Sequence, residues 1–207
     1  MICEHTFVPD GGWIVSKGAY SLGIELEVER NPEEIDERLG DRFVLKQDAS
    51  LNDGVEIVTH AMSLCEHKRM WPSVLRTLQK LKCRVHNYTG LHVHISTDRE
   101  HFESVLRFIL QNRGIIKRIC GRRENGFVAW DKQNDHYAVL NQRGDGHFEF
   151  RAPKATLDVT EFLGRVELAQ ALVRFGADCK DWKEFIGKVR RVREYKELRI
   201  LMKRVLL

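Results

Sequence analysis

Ser21-Leu-Gly-Ile-Glu-Leu-Glu-Val-Glu-Arg30 alternates apolar and acidic residues. In an extended chain Ile24, Leu26 and Val28 therefore project to one side and Glu25, Glu27 and Glu29 to the other. Such a segment is a strand with one face in the core. Residues 43–48 and 54–59 read as two more strands, joined by Ala49-Ser-Leu-Asn-Asp-Gly54, whose Asp-Gly pair signals a turn. Residues 63–82 carry apolar side chains at helical spacing, with Pro72 marking a kink or a break between two shorter helices.

Period-two alternation returns at residues 91–96. Thr97-Asp-Arg-Glu100 is a capping box that opens a helix with one apolar stripe, Phe102, Val105, Leu106, Ile109 and Leu110, ending near Gly114. A shorter helix follows to Cys120. Residues 137–140 and 147–151 complete the strands, the second alternating Phe148 and Phe150 with His147, Glu149 and Arg151. Asp158-Val-Thr-Glu161 is another capping box, opening a helix to about Phe175 that Gly176 terminates. Residues 181–207 are helical and amphipathic. Strands interrupted by helices, without repeats or linkers, make the fold class α+β.

The 207 residues fit one domain spanning 1–207. With 43% apolar and 31% charged residues, the chain has no apolar run of the ~20 residues a membrane span needs. No basic stretch followed by an apolar run marks the N-terminus as a secretory signal, so the expected location is the cytoplasm and no membrane partner is expected. Five scattered cysteines without a Cys-x-x-Cys pair fit reduced structural thiols better than a disulfide framework or a structural zinc site. The net charge of +4 is uneven: residues 180–207 hold ten Lys/Arg against four Asp/Glu, leaving about −2 elsewhere. An acidic partner or nucleic acid could dock on this basic tail, but a solvated helix face is the more economical account, and nucleic acid is not the expected partner.

The chemistry lies on the polar faces of the strands. Glu25 with Glu27, Asp48, Glu56, His92 with His94, and Glu149 with Arg151 converge if those faces line one surface, because residues i and i+2 point the same way. Oxygen donors dominate, imidazole is the minority and no cysteine takes part, which favours magnesium or manganese over zinc. Magnesium reaches proteins through a few carboxylates plus phosphate oxygens, so an acid-rich site with arginines suggests a metal–nucleotide complex. Two other readings use the same residues. His-x-His with carboxylates can activate water on zinc, as in a metal-dependent hydrolase. A noncatalytic module could keep the fold and bind an acidic partner through its basic tail.

These motifs, in this order, resemble the amidoligases of the carboxylate–amine ligase superfamily, which also holds glutamine synthetase and glutamate–cysteine ligase. Gly23-Ile-Glu-Leu-Glu27 resembles the family's opening strand, and Asp48-Ala-Ser50 with Gly54-Val-Glu-Ile-Val-Thr59 its Asp-x-Ser turn and following strand. Gly90-Leu-His-Val-His-Ile-Ser96 resembles its His-x-His strand, and Asn141, Phe148-Glu-Phe-Arg151 and Thr156 its closing segment. The resemblance runs from about Gly23 to Thr156.

It implies a twisted antiparallel sheet with a polar concave catalytic face and helices on the other, the glutamine synthetase and guanido kinase-like fold. It also implies ATP-dependent amide formation through an acyl phosphate, with small-molecule or peptide carboxylates and amines as substrates. By the same carry-over, Glu25, Glu27, Glu56, His92 and Glu149 match metal-holding positions. His94 and Arg151 match positions facing phosphate or the acyl phosphate, with Arg122, Asn141 and Arg143 as further nucleotide or substrate candidates. Asp48, beside them, is placed to orient or deprotonate the amine.

Overall fold

In the computed structural model, residues 2–3, 20–40, 42–96, 101–123, 128–131, 137–142 and 147–206 are described. The alternating segment forms a strand, Leu22–Glu29, with Leu22, Ile24, Leu26 and Val28 at 0% exposure. It is β2 of seven, the others being β1 (Ile2–Cys3), β3 (Val44–Lys46), β4 (Gly54–Val58), β5 (Leu91–Ser96), β6 (Leu140–Gln142) and β7 (His147–Phe150). They form one open sheet in the order β1-β3-β4-β2-β5-β7-β6. Six strands pair antiparallel, while β1 joins the edge parallel to β3.

The helices are α1 (Pro32–Leu39), α2 (Leu64–Lys80), α3 (Phe102–Gln111), α4 (Arg113–Cys120), α5 (Val159–Phe175), α6 (Trp182–Arg191) and α7 (Lys196–Leu206). The apolar sheet face and the helices share one core that includes Ile24, Leu26 and Val93 with Trp71 and Phe162. Trp71 packs on Phe162 at 4.4 Å between ring centroids. His67 belongs to this core as a neutral imidazole. Burial lowers its pKa to about 4, Trp71 Nε1 donates to its Nδ1 (3.1 Å), and its Nε2 donates to Leu22 O (2.8 Å). Helix α5 is buried along nearly its whole length, including Arg165, Glu167 and Gln170. Among the described residues no helix is long and apolar enough to cross a membrane.

Several local expectations are corrected. Pro72 neither breaks nor divides α2, which runs unbroken through it. Leu64, His67 and Trp71 before the proline and Val74, Leu75 and Leu78 after it are all buried, and their packing outweighs the roughly 3 kcal/mol proline penalty. A Ser63–Glu66 capping box, which the sequence reading passed over, starts this helix. Helix α3 ends at Gln111, because Asn112 leaves the helical region and bonds its own Nδ2 to Phe108 O (2.8 Å); Gly114 lies inside α4.

The sixth strand begins at Leu140; before it Ala129 N donates to Tyr137 O and Val139 N to Ala129 O, and Arg151 N donates to Val139 O. At α5 only half of the expected capping box forms; Asp158 caps Glu161 N, while Glu161 pairs with Arg165 at 3.0 Å. Gly176 ends α5 with right-handed backbone and leads into a 3-10 turn, Gly176–Asp178. The basic tail is helical as expected, forming α6 and α7. The capping box at residues 97–100 lies outside the described residues.

Candidate metal and nucleotide cleft

Strand register places the polar groups in rows. Lys46 stands opposite Glu56, Glu56 opposite Glu27, Glu25 opposite His92, His94 opposite Glu149 and Glu149 opposite Asn141. Side-chain alternation then delivers these groups to one side of the sheet. A cleft of about 500 Å³ opens there, lined by Glu25, Glu27, Lys46, Asp48, Ala49, Ser50, Glu56, Tyr88, His92, His94, Tyr137, Glu149 and Arg151.

Glu25 is the hub. Its Oε2 lies 3.3 Å from His92 Nδ1 and its Oε1 3.2 Å from His94 Nε2. Burial raises its affinity for a proton, but His94 and His92 overcome this and hold the carboxyl well below the usual range. Glu149 follows the same balance: against burial, the guanidinium of Arg151, bonded to its Oε1, and the two imidazoles lower it to about 2. Glu56 goes the other way. Burial, then the neighbouring Glu25 and Glu27, push its carboxyl well above the usual range, with Lys46 opposing.

Ligand atoms of three groups lie within 4.8 Å of one another: Glu25–His94–Glu149, Glu25–Glu56–His92 and Glu27–Asp48–Glu56. Consecutive groups share Glu25 and Glu56, so adjacent cations would be bridged by a common carboxylate. The donors fit such ions chemically, being mostly carboxylate oxygens with an imidazole in two groups. Among the described residues, buried Arg151 Nε and His92 Nε2 have no hydrogen-bond partner, although His92 Nε2 lies 3.5 Å from Glu27 Oε1.

All eight polar residues expected to converge therefore line one cleft. Asn141 lies buried one strand beyond Glu149 on the same face. Arg122 is not among the lining residues; its Nη2 donates to Tyr88 O (2.8 Å) and its Nη1 to Arg151 O (3.2 Å), so it ties two cleft segments together from behind. Arg143 lies outside the described residues. The sequence reading missed Lys46, Ser50, Tyr88 and Tyr137. Lys46 was within reach, since it sits two residues before Asp48 on the expected strand and so shares its side. The tyrosines carry no motif.

Gly90 holds the site close-packed. Its N–H donates to Glu27 Oε2 (2.5 Å), and a Cβ there would lie 2.5 Å from His92 Nε2 and 2.6 Å from Arg122 Nη1. Gly90→Ala is therefore expected to displace His92, weakening manganese binding about tenfold and costing about 1–3 kcal/mol of stability. Manganese titration and urea unfolding of the variant check this; unchanged metal affinity would mean His92 is not a ligand. Comparison of the sequence with protein-family models and with curated proteins found no match.

Proposed function

We propose that the chain is an ATP- and magnesium-dependent ligase that joins a carboxylate to an amine through an acyl phosphate. One observation carries the reading: carboxylates and imidazoles from β2, β4, β5 and β7, with Asp48 from the turn after β3, meet in one cleft as three overlapping clusters of ligand-type atoms within 4.8 Å of one another. A single bound metal would not need that many shared carboxylates, whereas a triphosphate held by neighbouring magnesium ions would.

Glu25, Glu27, Glu56, His92 and Glu149 would hold the magnesium, which neutralises phosphate charge when bound. Arg151 and His94 then face the transferring phosphoryl group, and Lys46 adds a second cation at the far side of the cleft. A carboxylate oxygen of the substrate attacks the terminal phosphorus, the bond to the bridging oxygen breaks and ADP leaves. The amine nitrogen next attacks the acyl carbon, the carbon–oxygen bond to phosphate breaks and inorganic phosphate departs. Asp48 takes the proton the amine gives up; Ser50 N, donating to its Oδ1 at 2.6 Å, orients the carboxylate for this.

No protein nucleophile is required. Burial pushes Cys83 up to about 11 and Cys120 up to about 12, so both are thiols at neutral pH, and no described cysteine lines the cleft.

Calorimetry with ATP at millimolar concentration tests the reading. Binding is expected with magnesium or manganese and is expected to vanish with a chelator. A chain that binds neither ATP nor a nonhydrolysable analogue under these conditions is not this ligase. The imidazoles in two of the three groups keep a zinc-dependent hydrolase as the second reading. A zinc requirement with no nucleotide affinity would favour it.

A further inference from the structure

We infer that Tyr88 is the platform on which the base of the bound nucleotide stacks, an assignment that rests on the ligase reading above. Nearly all of the cleft lining is ionic or small; Tyr88 and Tyr137 supply its phenol rings. Tyr88 is also the exposed large hydrophobic side chain of the described surface, with 62% of its area accessible.

An exposed aromatic on a loose loop tip would mean little, but this one is strapped down. Tyr88 O accepts from Arg122 Nη2 (2.8 Å), and Arg122 Nη1 holds Arg151 O (3.2 Å), so one buried guanidinium fixes the tyrosine relative to the arginine expected to meet phosphate. On the next residue, Thr89 Oγ1 accepts from His86 N (2.8 Å) and donates to His86 O (3.0 Å), while Thr89 O accepts from Ala155 N (3.0 Å). One residue further, Gly90 N donates to Glu27 Oε2 (2.5 Å). The backbone is thus pinned on both sides while the ring stays in solvent beside the acidic rows. The backbone that carries the ring is preorganised, which lowers the entropic cost to a ligand that covers it.

Tyr137 lines the same cleft. Two residues after it, Val139 O accepts from Arg151 N (3.0 Å). Arg151 is thus linked through Arg122 to Tyr88 and through its own N–H to the segment that carries Tyr137. A nucleotide has one charged end and one flat end, and the cleft offers carboxylates and Arg151 for the first and an exposed aromatic ring on a pinned backbone for the second. At about 500 Å³ it is within the usual size range for such ligands. Stacking on an aromatic ring tolerates any base, so the platform provides affinity more than base identity.

The test compares magnesium–ATP with magnesium–tripolyphosphate, which has the phosphate chain but no base, by calorimetry on the full chain. Tyr88→Ala is expected to weaken ATP binding about tenfold and leave tripolyphosphate binding unchanged, while Tyr88→Phe keeps both. The ring is exposed, so unchanged melting temperatures should accompany both variants. Tyr88→Ala that leaves ATP binding intact, or weakens both ligands alike, overturns the platform; so does a Phe variant as weak as the Ala variant. A wild-type chain that binds tripolyphosphate as tightly as ATP overturns it while sparing the ligase reading. A wild-type chain that binds neither ligand overturns both.

Discussion

Glu56→Gln is expected to abolish magnesium–ATP binding and, at the same time, to raise the melting temperature of the metal-free protein by a few degrees. The two effects have one cause. Glu56 is 3% exposed, stands opposite both Glu27 and Lys46 in the sheet, and belongs to two of the three clusters whose atoms could hold a cation. Burial and the charges of Glu25 and Glu27 push its carboxyl well above the usual range. A carboxyl raised on folding contributes stability that is complete below its unfolded value, near 4.3, and is lost as pH rises through the folded value. At neutral pH the metal-free fold therefore carries a penalty that glutamine removes, at nearly constant shape. A divalent cation removes the same penalty in the wild type, and its binding energy adds to stability by mass action. Thermal unfolding with and without magnesium should give opposite orders for wild type and variant, with a loss of nucleotide affinity of at least 100-fold. A variant that melts lower without metal, or still binds magnesium–ATP, would remove Glu56 from the site. Glu27 is a poorer probe, because its Oε2 accepts from the Gly90 N–H and truncation would leave that buried donor unpaired, at about 1–3 kcal/mol.

What could be read beforehand follows from what alternation encodes. A period of two states which residues share a face, so Glu25, Glu27, Glu56, His92, His94 and Glu149 were legible as polar-face residues from their neighbours alone. It does not state which residue stands opposite which. The pairing of Glu25 with His92, of His94 with Glu149 and of Glu56 with Lys46 is decided by register across segments up to 67 residues apart. Arg122 shows the same limit from the other side: its residue type suggested phosphate, while its place behind Gly90 makes it a strut between main-chain carbonyls. Pro72 was misread because local propensity was weighed without the core contacts on both sides of it. The parallel edge strand β1 comes from a segment whose sequence has no distinctive pattern.

The interior of α5 was least legible of all, and it supports the other large effect expected: Lys68→Ala should destabilise the fold by about 3 kcal/mol. Lys68 Nζ bonds Glu167 Oε1 (2.7 Å), Glu197 Oε2 (2.6 Å) and Glu194 O (2.6 Å), joining α2, α5 and α7. Glu167 Oε2 in turn accepts from Leu198 N (2.7 Å). Removing the lysine leaves the Glu197 carboxylate, the Glu167 carboxyl and Glu194 O without the ammonium they share, and breaking such a buried charged network costs about 3–5 kcal/mol when it is fully buried. The low end applies because Lys68 keeps 24% of its side chain in solvent. Burial and the Glu197 carboxylate raise Glu167 to about 8, whereas Glu197, against its own burial, is held at about 2 by Glu167 and Lys68. The pair therefore shares one proton at neutral pH, carried by Glu167. A raised carboxyl loses its contribution as pH climbs from its unfolded value to its folded one, so wild-type stability should fall by about 2 kcal/mol between pH 6 and 8. Glu167→Gln removes the titrating carboxyl and keeps an oxygen for Leu198 N, at the cost of the bond that Lys68 gives Oε1, so it should be less stable than wild type but show a flat profile over that window. Urea unfolding at the two pH values decides the matter: if Glu167→Gln falls as steeply as wild type, the titrating proton resides elsewhere.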